Sequence, residues 1–234
     1  RWMLWLLWYW LPMHRVSAVT VISEATKQEL LKFVNYDPDK IIVIHCCVSD
    51  FFRADERPFN SSCPRVLQVG TSEHNKNVER VAEALAGINC KWVIIGRLSL
   101  AQLAIIKRYG IDYENHVGLS EEDLLVQYKR ADMLIFASTY EGFGLPILEA
   151  NAVGRPVVTS NVCSMPEVAG DAACLVDPYD VVSIRAGILR VLEQEDYRAR
   201  LVKAGFRNVE RFRSNIIAEQ YAQLYRRIYA AREL

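Results

Sequence analysis

The sequence predicts an α/β protein with a Rossmann-like parallel sheet that carries helices on both faces. Short and almost wholly apolar segments, such as Val66–Val69 and Met133–Phe136, are typical of strands that are buried on both faces. Longer segments with helical periodicity separate these strands, which favours crossover helices and a parallel order. The chain has 234 residues, of which 51% are hydrophobic and 24% charged, so it can form one large or two small domains with a sizeable core.

The first predicted elements lie ahead of an irregular segment. Ala18–Ile22 is a short strand, and Ser23 is a suitable N-cap for a helix over Glu24–Phe33. Ile41–Ile44 is predicted to be a second strand. Residues Ser49–Pro64 contain two prolines and show no periodicity, so we expect them to form a linker.

After the linker, strands and helices alternate along the chain. The predicted strands are Val66–Val69, Trp92–Ile95, Met133–Phe136, Pro156–Thr159 and Ala173–Val176. The predicted helices between them are Asn77–Leu85, Leu100–Tyr109, Glu121–Lys129 and Gly144–Val153. Two or three further helices close the chain, the last of them near Asn215–Ala230.

The composition excludes several classes of function. The net charge is zero, so there is no bulk attraction to nucleic acid, and we expect no nucleic-acid partner. The six cysteines form no CxxC pair, and several of them lie in apolar runs and are interpreted as small buried residues in a reducing compartment. The four histidines are scattered without an HExxH pattern, so no metal site is expected. Neither GxxxxGK[ST] nor GxGxxG occurs, which argues against a P-loop ATPase and a dinucleotide oxidoreductase.

The first twelve residues, RWMLWLLWYWLP, carry four of the five tryptophans. This run is too short to span a bilayer, which takes about 20 residues, and it lacks the cleavage site of a signal peptide. It is interpreted either as a buried helix that packs on another part of the protein or as an interfacial membrane helix. Both interpretations predict that the chain is part of a larger protein.

In a parallel α/β sheet, ligands bind in the loops that follow the carboxyl ends of the strands. One such loop reads YEGFGLPILEA and leads into the helix Gly144–Val153. Its spacing places Leu145, Leu148, Glu149 and Ala152 on one helical face, of which all but Glu149 are expected in the core. A buried carboxylate is sensible if it accepts hydrogen bonds from a ligand diol, or if it pairs with an arginine such as Arg155. Helix spacing alone leaves both interpretations open.

The remaining groups at this edge suit an anionic ligand. Free N–H groups at the start of the helix and its dipole favour a phosphate, and the glycines allow a ligand to approach the backbone. In the loop Gly70–Asn77, Lys76 can bind a phosphate as a point charge. Taken alone, however, that loop favours a solvated lysine. The loop Ser160–Val168 holds small polar groups and Glu167, and taken alone it is compatible with an ordinary capped turn.

Four segments in this order resemble the family-4 retaining glycosyltransferases of GT-B fold. They are EGFGLPILEA with its EX7E spacing, GRPVVTSNVCSMPEVAGDAACLVDP, VGTSEHNKN, and VISEATKQELL followed by KIIVIHCCVSDFF. The resemblance covers nearly the whole chain beyond about Val16. It implies two Rossmann-like domains. Residues 1–48 are then a remnant of the amino-terminal acceptor domain, 49–62 the linker, 63–212 the donor-binding domain and 213–234 a crossover helix.

The resemblance also implies roles for individual residues. Glu149 would bind the ribose of a nucleotide-sugar, while Glu141 and the backbone of Gly142, Phe143, Gly144 and Leu145 would hold its sugar and phosphate. Lys76 would stabilise the departing diphosphate, with Glu141 and Lys76 as the catalytic pair. Many family members have Gly-Arg where this chain has Gly70-Thr71, so the cationic clamp is one charge short, and Arg97 could compensate. The expected donor-binding residues outside the EX7E segment are Gly70, Thr71, Arg97 and Ser164. No acid pair of DxD type ends a strand, so no metal is expected.

The implied activity is transfer of a hexose, with retention of configuration, from a nucleotide-sugar to a glycan or lipid-linked acceptor. The Thr-containing loop followed by Lys76-Asn77 is similar to mannosyltransferase-like members of bacterial surface polysaccharide synthesis, which makes GDP-mannose the leading donor. Such an enzyme is expected in the cytoplasm, at the inner face of the membrane, with peripheral association through the missing amino-terminal domain. The chain alone is expected to be inactive. The alternatives are a non-catalytic nucleotide-sugar-binding module and a GT-B nucleotide-sugar epimerase.

Overall fold

Two parallel sheets organise the computed structural model, which describes residues 2–71 and 74–231. The smaller sheet pairs β1 (Val19–Val21) with β2 (Ile41–Val43). The larger sheet has the order β5-β4-β3-β6-β7-β8. Its strands are β3 (Arg65–Val69), β4 (Lys91–Ile95), β5 (Tyr113–His116), β6 (Met133–Phe136), β7 (Val157–Ser160) and β8 (Ala173–Val176).

Helices connect these strands and cover the large sheet. The chain begins with α1 (Trp2–Trp5), a π-helical turn (Leu6–Trp10) and α2 (Leu11–Met13), followed by α3 (Glu24–Phe33). The helices of the large unit are α4 (Val78–Leu85), α5 (Leu100–Arg108), α6 (Glu121–Arg130), α7 (Leu145–Val153), α8 (Met165–Ala169), α9 (Val181–Glu193) and α10 (Glu195–Glu210). Helix α11 (Ser214–Ala230) closes the described chain, and short 3₁₀ turns lie at Pro38–Lys40 and His74–Lys76.

The predicted fold class is confirmed, because strand residues alternate between two cores. Leu67, Leu134 and Val157 belong to the core beneath α6, α7 and α10, whereas Val66 and Met133 belong to the core beneath α4, α5 and α9. Burial on both faces explains why these strands read as continuous apolar runs rather than as alternating ones.

The order of the strands reverses between β3 and β6. The chain first builds β3, β4 and β5 outward, and α6 then returns it to the other side of β3, where β6 pairs through Val66 with Met133 and Leu67 with Leu134. Ligands of open α/β sheets bind at such a switch point, beyond the carboxyl ends of the strands. The loops that follow β3 and β6 are therefore brought side by side.

The small sheet is connected to the last helix. Ile44, just beyond β2, packs with Ile217 and Leu224 of α11 in one apolar cluster. Helix α11, which follows α10, thus packs against the end of the small sheet. The domain boundaries at 48, 62 and 212 stay a prediction.

Several local predictions were wrong. Strand β5 was missed because Tyr-Glu-Asn-His has no apolar run; it lies at the sheet edge, pairing only with β4 among the described strands, so polar side chains are tolerated. Leu145 was expected in the core but is 38% exposed, since the first turn of α7 projects beyond the sheet. Of the cysteines, only Cys90 and Cys174 are buried, whereas Cys47 and Cys163 lie in exposed loops.

From Trp2 onward, the tryptophan-rich run is helical and lies on the surface. Trp2 and Trp8 are 75% and 74% exposed, and Met13 is the buried residue of the segment. Trp5 is held in place because its indole N–H donates to the carbonyl of Phe33 at 2.9 Å. Among the described residues, no helix combines the length and the apolar character needed to cross a bilayer.

Candidate functional site

Lys76 and Glu141 meet at the switch point. Lys76 Nζ lies 2.5 Å from Glu141 Oε1, and the two side chains are 19% and 15% exposed. Backbone hydrogen bonding joins the two loops, because Thr139 N donates to the Asn75 carbonyl at 2.8 Å. The side-chain amide of Asn75 in turn donates to the Tyr140 carbonyl at 2.8 Å. The two residues predicted to form the catalytic pair are therefore in direct contact.

Gly70 leaves the space that Lys76 occupies. A Cβ atom at Gly70, whose φ is +89°, would lie 2.8 Å from Lys76 Cε. The Lys76 ammonium also lies 5.1 Å from the centre of the Phe136 ring. The backbone carbonyl of Lys76 accepts a hydrogen bond from the Gln68 side chain at 2.8 Å. The lysine thus approaches the carboxyl ends of both β3 and β6, and its position depends on the absence of a side chain at residue 70.

Thr71 lies at the same edge but is turned away from it. The side chain is buried, its hydroxyl donates to the Arg97 carbonyl at 2.8 Å, and the Gln102 side chain donates to the Thr71 carbonyl at 3.3 Å. A Cβ atom at Gly96 would lie 2.4 Å from Thr71 Oγ1. Thr71 therefore ties the β3 loop to the β4 loop, while the Arg97 side chain is exposed at the edge of the sheet.

The start of helix α7 presents backbone rather than side chains. Gly144 is its N-cap residue with a φ of +115°, and as a glycine it has no side chain that could cap the first turn. Pro146 lies in that turn, where a missing N–H group costs nothing. Phe143 is buried beneath the loop and anchors it. The remaining N–H groups and the helix dipole give this end of α7 a partial positive charge, which favours an anion.

Glu149 lies one turn deeper in α7, and Tyr128 is its partner. The Tyr128 hydroxyl donates to Glu149 Oε2 at 2.5 Å. Burial raises the pKa of the Glu149 carboxyl, and the charge of Glu121 raises it further, whereas the hydrogen bond from Tyr128 lowers it. The alternative of an Arg155 partner is wrong, because the Arg155 guanidinium pairs with Asp55 Oδ2 at 2.8 Å.

Ser164 supports the Glu-Gly-Phe-Gly loop from below. It is fully buried, and its hydroxyl lies 2.9 Å from the Glu141 carbonyl and 2.8 Å from the Phe143 carbonyl. A single hydroxyl proton is engaged by these two acceptors. The geometry thus gives Ser164 a supporting place at the site rather than an open contact to a ligand.

Helix α3 contacts the same loop from the other side, which the sequence analysis missed. Ser23 Oγ and Thr26 Oγ1 donate to the Gly142 carbonyl at 2.8 and 3.2 Å. The Glu167 carboxylate accepts hydrogen bonds from the backbone N–H of Glu24 at 3.0 and 2.9 Å. Ser23 was identified as an N-cap and Glu167 as an acid in a strand-end loop, but nothing in the sequence indicates that Ser23 contacts Gly142 or that Glu167 binds the start of α3.

Two further contacts join the small sheet and its helix α3 to the loops at the carboxyl edge of the large sheet. His45 Nε2 lies 2.8 Å from Glu167 Oε1. The Tyr140 hydroxyl donates to Glu29 Oε2 at 2.6 Å, and this hydrogen bond is the main reason why the Tyr140 pKa rises to about 12. The loop that carries Glu141 is therefore held between Ser164 of the large unit and α3 of the small one.

A cavity of about 810 Å³ lies elsewhere, beneath the amino ends of β6 and β7. Its walls come from the linker, from Asp132 and Arg155, and from α10. The charges of Asp55 and Arg155 compensate each other there, and the cavity lies at the edge of the sheet opposite to Lys76 and Glu141. Among the residues described here, no group of three His, Cys, Asp or Glu side chains could hold a metal ion.

Comparison with known proteins gives a consistent result. A family model described as glycosyl transferases group 1 matches residues 51–208. The chain is 30% identical to O-antigen chain mannosyltransferase B of Escherichia coli over 83% of this chain and 56% of that protein. It is 26% identical to O-antigen chain mannosyltransferase RfbU of Salmonella typhimurium over 89% of this chain and 62% of that protein. The chain therefore spans little more than half the length of these relatives.

Solved structures share the fold. Sucrose-phosphate synthase from Thermosynechococcus elongatus superimposes with a TM-score of 0.82 at 24% identity, over 94% of this chain and 60% of that one. Anabaena HepE in complex with UDP and glucose superimposes with a TM-score of 0.83 at 18% identity, over 96% of this chain and 67% of that one. These neighbours are GT-B glycosyltransferases, in agreement with the predicted architecture.

Proposed function

The chain belongs to the glycosyl transferase group 1 family, and on this premise we propose that it forms the donor-binding part of a family-4 retaining hexosyltransferase. The observation that carries the proposal is the contact between Lys76 and Glu141 beside the uncapped start of α7. A cation, a set of backbone N–H groups and a carboxylate then converge where open α/β sheets bind nucleotides.

The nucleoside diphosphate is oriented by groups at both ends. Its phosphates lie against Lys76 and the first turn of α7, and the Glu149 carboxylate accepts hydrogen bonds from the ribose hydroxyls. The backbone from Gly142 to Leu145 follows the diphosphate towards the sugar. In the structure Glu141 neutralises Lys76, so binding exchanges a carboxylate for phosphate oxygens at the ammonium group. Glu141 is then released to bind a sugar hydroxyl.

The chemical step is cleavage of the bond between the anomeric carbon and the diphosphate oxygen. The departing diphosphate gains negative charge, and Lys76 and the α7 N–H groups stabilise that charge where it develops. Arg97 is exposed at the neighbouring strand end and supplies the second cation that Thr71 does not. With these charges in place, the reaction needs no metal ion. The acceptor hydroxyl oxygen forms the new bond to the anomeric carbon on the face from which the diphosphate departs, so the configuration is retained. The hydroxyl proton passes to the departing diphosphate.

GDP-mannose is the proposed donor, and a glycan or a lipid-linked glycan of a bacterial surface polysaccharide is the proposed acceptor. Support comes from the curated relatives, which are named as O-antigen mannosyltransferases. A lipid-linked acceptor implies work at the inner, cytoplasmic face of the membrane, with peripheral association of the enzyme.

A thermal-shift and calorimetric screen of GDP-, UDP- and ADP-sugars tests the binding part of this proposal. A ligand at a hundredfold excess over its Kd should stabilise the protein by about 2.7 kcal/mol. We expect Lys76→Ala to weaken binding of the diphosphate much more than binding of the free nucleoside, and Lys203→Ala on α10 to change neither. No stabilisation by any nucleotide would contradict the proposal. Transfer is then tested with the full-length protein on a glycan acceptor, with the anomeric configuration of the product read by NMR.

A further inference from the structure

Tyr128 is a buried ionisable residue for which the proposed mechanism has no role. We propose that it is a positioning residue for the nucleotide: its hydroxyl fixes the Glu149 carboxylate in the direction of the ribose. This inference rests on the proposed function in one respect, since it takes the ribose to bind at Glu149.

The Tyr128 ring is fixed at several points. It is fully buried on α6, and its edge-to-face contact with Phe52 has a centroid distance of 5.5 Å. The Tyr128 carbonyl accepts a hydrogen bond from Arg155 Nε at 3.2 Å, and Arg155 is itself tied to Asp55 of the linker. The position of the phenol is therefore set by the linker and by the core, and it does not depend on a ligand.

This fixed hydroxyl determines the geometry of Glu149. It donates to Oε2 at 2.5 Å and so prevents rotation of the carboxylate. A carboxylate has about four acceptor positions on its two oxygens. Tyr128 uses one of these positions, on Oε2. Both acceptor positions of Oε1 therefore remain for the two hydroxyls of a ribose. The carboxylate is thus oriented before the nucleotide arrives, which lowers the entropy lost on binding.

The same hydrogen bond also controls the proton on Glu149. Burial favours the neutral acid and raises the pKa of Glu149, and the negative charge of Glu121 acts in the same direction. The Tyr128 hydrogen bond opposes both, since it stabilises the anion. Tyr128 itself stays protonated, because burial, followed by the Glu149 charge, raises its pKa well above 10. Within residues 2–71 and 74–231, the titratable groups that act on Glu149 are these two residues of α6: Glu121 raises its pKa and Tyr128 lowers it.

The test is calorimetric titration of GDP into the protein and its Tyr128→Phe variant between pH 5 and pH 8. At neutral pH we expect the variant to bind about tenfold more weakly, as for the loss of one hydrogen bond to a charged group. We also expect acid to abolish binding at a higher pH in the variant, because Glu149 then takes up its proton earlier. The control Tyr36→Phe removes a phenol that donates to the Met13 carbonyl at 2.7 Å, and should leave the pH profile unchanged.

A second variant separates this role from a merely structural one. Glu121→Gln removes the charge that opposes ionisation, so it should move the loss of binding to lower pH without any change at Tyr128. Titration of the Glu149 carboxyl carbon by NMR, in the protein without nucleotide, should show the same two opposite displacements of the Glu149 pKa: upward in Tyr128→Phe and downward in Glu121→Gln. Identical pH profiles for Tyr128→Phe and the wild type, by both methods, would overturn the inference. If no nucleotide binds while the NMR displacements appear, the proposed function fails and the control of Glu149 by Tyr128 stands.

Discussion

The Lys76–Glu141 pair should stabilise the empty protein, and its removal gives a measurable loss. In Lys76→Met the Glu141 carboxylate keeps its burial, with 15% of the side chain exposed, but loses its counter-ion. Breaking a fully buried pair costs about 3–5 kcal/mol, whereas a surface pair is worth about 0–1 kcal/mol. The observed exposures of 15–19% place this pair between these limits, so we expect a loss of about 2 kcal/mol.

Urea unfolding of four proteins measures this energy. They are the wild type, Lys76→Met, Glu141→Gln and the double variant, and together they form a double-mutant cycle. A loss of about 2 kcal/mol corresponds to a decrease in Tm of roughly 4–8 °C for a chain of this size. The double variant should be more stable than the sum of the two single losses predicts, since it leaves neither charge unpaired.

A coupling energy below about 0.5 kcal/mol, the limit of additivity for independent sites, would refute this reasoning. It would mean that the two charges are solvated separately in the empty site. The proposed exchange of carboxylate for phosphate at Lys76 would then lose its basis.

Three further predictions concern stability and pH. Glu149→Gln should stabilise the nucleotide-free protein at neutral pH, because the folded-state pKa of Glu149 is raised and its ionisation therefore opposes folding. The difference in Tm between variant and wild type should vanish in acid, where the wild-type carboxyl is protonated. Glu114→Gln should lower stability by less than about 1 kcal/mol, because the side chain is 38% exposed. Hydrogen bonding to Arg65 lowers the Glu114 pKa from 4.5 to about 2, so in urea titrations this difference should be complete above pH 4.5 and disappear as the pH falls to about 2. Gly70→Ala should both destabilise the protein by about 1–3 kcal/mol and weaken GDP binding, since it strains a positive φ and displaces the Lys76 side chain, and calorimetry with an unchanged GDP affinity would contradict this.

The sequence was sufficient to predict the bounds of elements that local signals determine. Met133–Phe136 and Ala173–Val176 were predicted with their observed bounds, and so was α3 with its Ser23 cap, because apolar runs and capping residues act locally. Strand β5 could not be predicted in this way. An edge strand is held by backbone pairing to one neighbour, and its side chains need not be apolar.

The site was predictable in its location but less so in its contacts. Lys76 and Glu141 could be assigned to the carboxyl edge of the sheet, yet their direct pairing follows from the strand order, which brings β3 beside β6. Tyr128 lies 21 residues before Glu149, and no periodicity connects the two. The buried hydroxyls of Thr71 and Ser164 were expected to face a ligand. Their actual acceptors are loop carbonyls, which no pattern of side chains specifies.

The separate roles of Glu149 and Glu141 are the central claim, and calorimetry with GDP and GDP-mannose on the two glutamine variants tests it most directly. Glu149→Gln removes a charged acceptor for the ribose and should weaken both ligands by about 1.5–3 kcal/mol. Glu141→Gln should not weaken GDP, because the lost carboxylate competes with the phosphates for Lys76, while it should weaken the additional contribution of the sugar in GDP-mannose. Equal weakening of GDP binding by both variants would contradict this claim. The two glutamates would then form one undivided acidic patch without separate roles.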